Sequence, residues 1–152
     1  MHSHLVLTAC AGFLLAVLWM DLIFDTQVVA HDRGELPESV LASIAGYYHR
    51  ATTSSRPMST LIAAVMATQL AALAFRAVQG DDPGWLVGVA AALAGVPILL
   101  ALTRTVPNAV RLGKRADTPA IQTRLARAIF ADHLVCFVLI LGFLGLLVAT
   151  AA

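Results

Sequence analysis

The sequence LVLTACAGFLLAVLWMDLIFD, residues 5–25, decides the fold class because it can cross a membrane as a single helix. Such a helix needs about 20 mostly apolar residues. The apolar run is too long for a secretory signal peptide, no Lys or Arg precedes it, and Asp21 and Asp25 come before any plausible cleavage point. We therefore predict that this segment stays in the protein as its first span.

Three further apolar stretches predict three more spans. Together the four make an all-α, integral membrane antiparallel four-helix bundle in a single domain, residues 1–152. The turn sequence GDDPG at 80–84 lies in a short connection and predicts a hairpin. The last helix is predicted to begin near residue 119, ahead of its span, because Thr118-Pro119 is typical of a helix start. The predicted spans cover about residues 5–25, 57–76, 85–104 and 133–150.

The connection between the first two spans contains an amphipathic segment. Pro37 and Glu38 suit the first turn of a helix, where the missing N–H and the negative charge are both favourable. We predict a helix over about residues 37–52 that lies on the cytoplasmic membrane surface or caps the bundle. Its apolar residues recur at helical spacing and are Val40, Leu41, Ile44 and Tyr48.

The composition also favours a membrane protein. Hydrophobic residues make up 59% of the chain and charged residues 12%, and the mean hydropathy is +0.83. Globular proteins have about 45–50% and about 25% respectively. These values exclude a soluble enzyme, a disordered chain and a nucleic-acid-binding protein with a broad basic face. The expected partner is the lipid bilayer, and no nucleic acid is expected.

The positive charges predict the orientation. Nine of the ten Lys and Arg residues lie in or beside the two long connections, and only Arg76 lies on the opposite side. By the positive-inside rule the long connections are cytoplasmic. We predict a multi-pass protein of a bacterial inner membrane with extracytoplasmic N- and C-termini. The nine residues are Arg33, Arg50, Arg56, Arg104, Arg111, Lys114, Arg115, Arg124 and Arg127.

Small and polar residues inside the spans predict how the helices pack. Stripes of small residues favour close packing within the chain, and a homo-oligomer interface is the alternative. Gln69 is predicted to hydrogen-bond across helices. Cys10 and Cys136 lie about 20 Å apart in depth by helical rise, so they are predicted to be buried and unpaired. The stripes are Thr8, Gly12 and Ala16; Ala63, Ala67 and Ala71; and Gly84, Gly88, Ala92 and Gly95.

Polar residues are predicted to meet in one layer near the cytoplasmic ends of the helices. Asp21 and Asp25 are four residues apart and therefore share a helix face. Asp132 and His133 are adjacent, so at most one of them is expected to point squarely inward. The other members of the layer are Arg104 and Asn108, and Tyr47, Tyr48 and His49 of the surface helix are placed to cover it.

This layer predicts a pocket that binds a lipophilic or small polar molecule, or a metal ion. An ionised carboxylate inside the membrane is costly and needs a partner or a water-filled cavity. The predicted pocket is centred on Asp21, Asp25, Asn108 and His133, with Arg104 as counter-ion. The alternative is a structural or accessory membrane subunit whose aspartates only form ion pairs with arginines.

Three chemistries fit the predicted pocket. Asp21, Asp25 and His133 could ligate a divalent metal, since carboxylate and imidazole suit Fe, Mn or Zn. Haem held by His49 and His133 is less well supported. In the third hypothesis Asp21, Asp25 or His133 is a catalytic base toward a lipophilic substrate. Whether the protein is an enzyme is left open.

The second half of the chain resembles a known family. The segment TVPNAVRL at 105–112 follows the third span, and Leu125-Ala126-Arg127 leads to Asp132-His133-Leu134 and a long apolar tail. In these motifs the chain resembles small bacterial four-helix membrane proteins of unknown function grouped with anthrone oxygenase-like proteins. The resemblance implies functional roles for Asn108 and His133 and an oxygenase-like activity on a lipophilic substrate.

Overall fold

The structure is a computed structural model that describes residues 2–31, 33–54, 56–80 and 82–150. Within these ranges it is helical throughout, without a strand. Four helices, counting the third together with its continuation, are long and apolar enough to cross a membrane. The predictions of an all-α fold and of four long apolar helices are therefore confirmed.

The helices follow the predicted order, with one more helix than predicted. A short 3₁₀ turn, Thr26–Val28, follows the first helix, and a π-helical turn, Ala101–Thr105, interrupts the third apolar segment. The helices are α1 (His2–Asp25), α2 (Glu38–Thr53), α3 (Arg56–Gln79), α4 (Gly84–Leu100), α5 (Val106–Lys114) and α6 (Pro119–Ala149).

The third apolar segment does not end near residue 104, where its polar residues begin. Pro97 lies inside α4, and its missing N–H and its ring disturb the regular hydrogen-bonding pattern. The π turn follows, and the chain then continues as α5 until Arg115, whose left-handed conformation (φ +52°) ends the helix. The polar residues Arg104 and Asn108, which were predicted to follow the end of the third span, therefore lie within a continuing helical segment.

Two apolar clusters hold the helices together. One lies between α1, α3, α4 and α6 and is built around Leu7, Ala11 and Phe143. The other lies where α2 and α5 pack against α6 and includes Leu41 and Leu112. α2 and α5 approach very closely, because a Cβ atom on Gly113 would lie 2.9 Å from the backbone nitrogen of His49.

The stripes of small residues do not pack within the chain, so the preferred interpretation of them was wrong. In α1, α3 and α4 these residues are largely exposed, and a Cβ added to Gly12, Gly84 or Gly88 would meet nothing within 4 Å. Other residues make the interior contacts of these helices, among them Leu7, Ala11, Ala94 and Phe143. The exposed members are Gly12 and Ala16; Ala63, Ala67 and Ala71; and Gly84, Gly88 and Ala92.

Two predictions about buried residues have opposite outcomes. Cys10 and Cys136 are buried and unpaired, as predicted. Gln69 is fully buried, but neither its amide nitrogen nor its amide oxygen has a hydrogen-bond partner in the described part of the chain. The expected cross-helix hydrogen bond is not made by the described residues, and Met66 and Leu73, one turn before and after Gln69 on α3, both pack in the first apolar cluster.

Candidate functional site

Asp25, at the end of α1, is the most deeply buried acidic residue of the site. Its side chain has no exposed surface. One carboxylate oxygen accepts a hydrogen bond of 2.7 Å from the Tyr48 hydroxyl of α2. The other lies 2.7 Å from Nδ1 of His133 in α6. Because an ionised carboxylate only accepts hydrogen bonds, Nδ1 carries the proton of this contact.

Asp21 lies one turn earlier on the same face of α1, as the four-residue spacing predicts. Its Oδ1 accepts a hydrogen bond of 2.6 Å from the Tyr47 hydroxyl. Its Oδ2 lies 3.8 Å from Nε2 of His133, beyond hydrogen-bond distance. The imidazole of His133 therefore stands between two carboxylates, one on each nitrogen.

α2 supplies both tyrosines because its apolar face turns toward the ends of α1 and α6. Tyr48 belongs to the buried cluster of α2. Tyr47 stacks on Phe24, with ring centroids 4.1 Å apart and planes 9° from parallel. The rings of Tyr47 and Tyr48 also meet edge to face at 5.1 Å. These ring contacts fix the directions in which the two hydroxyls point.

Asp132 and His133 diverge as expected, yet both are buried. His133 joins Asp21 and Asp25, whereas Asp132 forms an ion pair of 3.1 Å with Arg104 and lies 3.4 Å from the Thr105 hydroxyl. Arg104 is 58% exposed while Asp132 is 5% exposed. The counter-ion proposed for the pocket is thus the partner of Asp132, and no described ion pair joins Arg104 to Asp21 or Asp25.

Two predicted site residues lie apart from this cluster. His49 is exposed on α2, on the side where its backbone meets Gly113. Asn108 is partly buried on α5 and makes no described hydrogen bond to the cluster, while its neighbour Ala109 faces the interior. Prediction from depth alone could not give the direction of these two side chains around their helix axes.

A cavity of about 400 Å³ lies beside the cluster. Its polar end is formed by Asp21, Tyr48 and His133, and most of its wall is apolar. Ligand pockets in proteins are typically of about 300–1,000 Å³, apolar, with a few converging polar groups. The other lining residues are Leu14, Val17, Leu18, Ala51, Thr52, Ser59, Ile62, Ala63, Met66, Pro97, Ile98, Ala101, Leu102, Thr105, Val106, Ala109, Val110, Cys136 and Ile140.

The cavity lies where the α4 helix is interrupted. Pro97 and residues of the π turn form part of its wall. π turns occur frequently at functional sites because they displace side chains from their regular positions. Pro97 was the sequence signal for this feature, but a proline kink alone did not predict a cavity.

One side of the cavity wall reaches the molecular surface. Ser59 and Ala63 of α3 and Leu102 and Val106 near the π turn both line the cavity and are exposed. α3 packs against α1 and, less extensively, against α4 and α2, whereas α5 packs mainly against α2 and α6. The cavity therefore opens on the flank of the molecule, between α3 and the π turn.

The two tyrosines have strongly altered acidity. Burial raises the pKa of the Tyr48 hydroxyl above its ordinary value, and the Asp25 and Asp21 carboxylates raise it further. Burial also raises the pKa of Tyr47, with the Asp21 carboxylate as the next cause. Both phenols therefore stay protonated as hydrogen-bond donors to the carboxylates well above neutral pH.

The geometry gives little support to a metal centre. Among the residues described, no group of three or more His, Cys, Asp and Glu side chains is arranged to hold a metal ion. Asp25 and Nδ1 of His133 already satisfy each other, and the Tyr47 and Tyr48 hydroxyls occupy further carboxylate positions. The arrangement is that of an oriented imidazole facing a cavity.

Comparisons with protein-family models, curated proteins and solved structures find no match for this chain.

Proposed function

We propose that the chain is a multi-pass membrane protein whose four long helices form an antiparallel bundle in a bacterial inner membrane. The length and apolar character of the four helices support this. Opposite pairing of α1 and α6 is supported by two contacts, because His4 lies 2.8 Å from the Leu147 carbonyl oxygen and Asp25 lies 2.7 Å from His133. Large exposed apolar side chains occur on all four helices, where lipid would cover them.

The same proposal places the end of the molecule that carries Asp21 on the cytoplasmic side. The asymmetry of the positive charges supports it, since Arg76 alone lies at the opposite end. A C-terminal fusion to alkaline phosphatase is expected to be active and a C-terminal fusion to a fluorescent protein that folds only in the cytoplasm is expected to be dark. The reverse pattern would contradict the orientation.

The bundle's proposed function is to bind a lipophilic small molecule, with the apolar part of the ligand in the cavity and a polar group facing Asp21 and His133. The observation that carries the proposal is the cavity of about 400 Å³ whose apolar wall ends on these two side chains. Its opening between α3 and the π turn would face the hydrocarbon of the bilayer. A lipid-soluble molecule could then enter without passing through water.

Cys136 offers a direct test, because it lines the cavity while Cys10 does not. In a Cys10→Ala variant, Cys136 is the only thiol, and its reaction with N-ethylmaleimide can be followed by intact mass. Small lipophilic molecules that occupy the cavity should slow this reaction. Equal rates with and without every member of a lipophilic panel would contradict the proposal.

A cavity-filling variant supplies the matched control. Ala101→Leu should reduce the protection given by the panel, because Ala101 lines the cavity. Ala92→Leu adds the same side chain on the exposed face of α4 and should leave protection unchanged. If both variants behave alike, the protecting molecules bind elsewhere.

A second candidate is an enzyme that removes a proton from a lipophilic substrate, with His133 as the base. The hydrogen bond between Asp25 and Nδ1 of His133 favours it, since a carboxylate that orients an imidazole is the usual arrangement of a general base. Conversion of a bound substrate that is lost in His133→Gln while binding persists would support this candidate.

The accessory-subunit alternative is favoured by a different contact, the ion pair of Arg104 and Asp132. That pair joins the π turn to α6 and needs no ligand. It does not explain the cavity or the placement of His133, so we retain it only as a structural role of this pair.

A further inference from the structure

The hydrogen-bond donors of the site are all used within the site. The Tyr47 hydroxyl donates to Asp21, and the Tyr48 hydroxyl donates to Asp25. The Nδ1–H of His133 donates to the second oxygen of Asp25. Three donors are thus directed at the two carboxylates, and none of them is left for a ligand.

Two acceptors remain at the polar end of the cavity. They are Oδ2 of Asp21 and, with the proton of His133 on Nδ1, the lone pair of Nε2. The two atoms are 3.8 Å apart, too far for a hydrogen bond to each other, and both residues line the cavity. His133 is more than nine-tenths buried, with 8% of its surface exposed, and its Nε2 has no hydrogen-bond partner among the described residues. A ligand group that donates hydrogen bonds fits this position.

The charges around the cavity are also unequal. Asp21, Asp25 and Asp132 face one arginine, Arg104, and one imidazole. The other described ion pairs of Arg and Lys involve Asp82, Asp117 and Glu38, away from the site. One negative charge is therefore unmatched when His133 is protonated and two are unmatched when it is neutral. In an apolar setting such a charge is offset by a cation or by the uptake of a proton.

We propose that the ligand is a lipophilic amine bound as its ammonium ion. An N–H of the ammonium donates to Oδ2 of Asp21, a second N–H donates to Nε2 of neutral His133, and the hydrocarbon part fills the apolar cavity. This inference rests on the proposed function and adds the chemical class of the ligand. Neutral alcohols could donate one hydrogen bond but would leave the charge unmatched.

Four octyl compounds test the proposal: octylamine, octyltrimethylammonium, octanol and octanoate. Each is titrated against the rate at which Cys136 reacts with N-ethylmaleimide in the Cys10→Ala protein in detergent. Octylamine is expected to protect at concentrations about tenfold lower than octanol, since charge-assisted hydrogen bonds are the stronger ones. Octanoate is expected not to protect. Octyltrimethylammonium carries the charge without an N–H and is expected to lie between octylamine and octanol.

The Asp21→Asn substitution isolates the charge. Asparagine keeps an oxygen that can accept from Tyr47, so the fold should persist, which circular dichroism can check. Octylamine protection should weaken about tenfold or more, while octanol protection should hardly change. Because a probe partitions equally into detergent in both samples, the ratio between the two proteins is independent of partitioning. Asp117→Asn, at an exposed ion pair away from the cavity, is the matched control and should leave both probes unchanged.

The outcomes separate the two proposals. If octanol protects as well as octylamine and Asp21→Asn alters neither, the ligand is not an amine, and the lipophile-binding function stands. If octyltrimethylammonium equals octylamine, the hydrogen-bonded geometry is overturned. If no octyl compound or lipophilic panel member protects Cys136, the amine proposal and the proposed function both fail.

Discussion

Charged side chains are partly or fully buried at both ends of the long helices, but they are paired differently at each end. At one end Arg76 and Asp82 form two hydrogen bonds of 2.9 and 2.7 Å, beside a cavity of about 20 Å³ that has room for about one water molecule. At the other end Asp21, Asp25 and His133 meet beside a cavity of about 400 Å³. Arg76 and Asp82 match each other in charge, whereas the cluster of Asp21, Asp25 and His133 has hydrogen-bond acceptors that no donor of the cluster uses.

This is the difference expected between a structural ion pair and the proposed binding site. A matched pair satisfies its own hydrogen bonds, so an added ligand has nothing to gain there. A cluster with more acceptors than donors leaves polar atoms unsatisfied until a donor arrives. The presence of charged residues in an apolar protein is therefore less informative than the balance of donors and acceptors among them.

The largest expected contrast comes from deleting one carboxylate at each end. Asp25→Ala leaves the Tyr48 hydroxyl and Nδ1 of His133 without their acceptor in a fully buried place, and should lower the free energy of unfolding by about 3–5 kcal/mol. Asp82→Ala at the partly exposed pair should cost about 1–2 kcal/mol. Unfolding can be followed with a thiol-reactive dye, since Cys10 and Cys136 are both buried. Equal losses would remove the distinction between the two ends.

Substitution of Gln69, which lies between the two ends, should raise the free energy of unfolding instead of lowering it. Its side-chain amide is buried without a partner among the residues that the structure describes, so Gln69→Leu is expected to stabilise the protein by about 1–3 kcal/mol. Gln122 is the control, because its Nε2 donates to the Asp117 carbonyl oxygen at 2.6 Å and only its Oε1 is buried without a partner among the described residues. Gln122→Leu loses that bond and should not stabilise. A loss of stability in Gln69→Leu would indicate that the amide has a polar partner in solution.

The tyrosines give a pH-dependent test that reports on the Asp21 end alone, because the chain has only two tyrosines and both belong to that end. Burial and the neighbouring carboxylates raise the pKa of both hydroxyls in the folded state. In the unfolded chain they lose their protons near pH 10, so the folded state binds more protons above that pH. Stability is therefore expected to be complete below about pH 10 and to fall as the pH rises further.

The ultraviolet absorbance of tyrosinate measures this directly. In the folded protein its midpoint should lie well above that of free tyrosine. An ordinary midpoint for both residues would mean that the hydroxyls are solvated and that the hydrogen bonds to Asp21 and Asp25 are not held.

The smallest effect is expected at the exposed pair of Arg111 and Asp117. This pair has good geometry, with hydrogen bonds of 2.8 Å, and it lowers the pKa of Asp117. Water and salt screen such pairs, so Asp117→Asn should leave the unfolding temperature unchanged within error. A clear loss of stability there would show that α5 depends on its surface charges.

The sequence was sufficient for the elements but only partly for the site. Helix lengths and apolar runs identified the four long helices, and helical rise correctly brought Asp21 and Asp25 to the level of His133. Direction around a helix axis was harder, because Pro97 and the π turn change the register of the segment that carries Arg104 and Asn108. The rise per residue is enough to predict the position of a residue along the helix axis. Its angular position around the axis depends on every local change in helical twist that precedes it.

The small-residue stripes failed for a related reason. Spacing alone shows that Ala63, Ala67 and Ala71 share a face but not which neighbour that face meets. The cavity could not be predicted from the sequence either, because it lies in the gap between α3 and the π turn and has no sequence pattern of its own.

The position of the cavity opening, on the flank of the protein, decides which concentration of ligand determines how much of the protein is occupied. In the proposed membrane bundle, a ligand that enters through this opening would come from the lipid bilayer, and the occupied fraction of the protein would follow the mole fraction of the ligand in the lipid instead of its molarity in water. The same total concentration of ligand would then give different occupied fractions of the protein in membranes into which the ligand partitions differently.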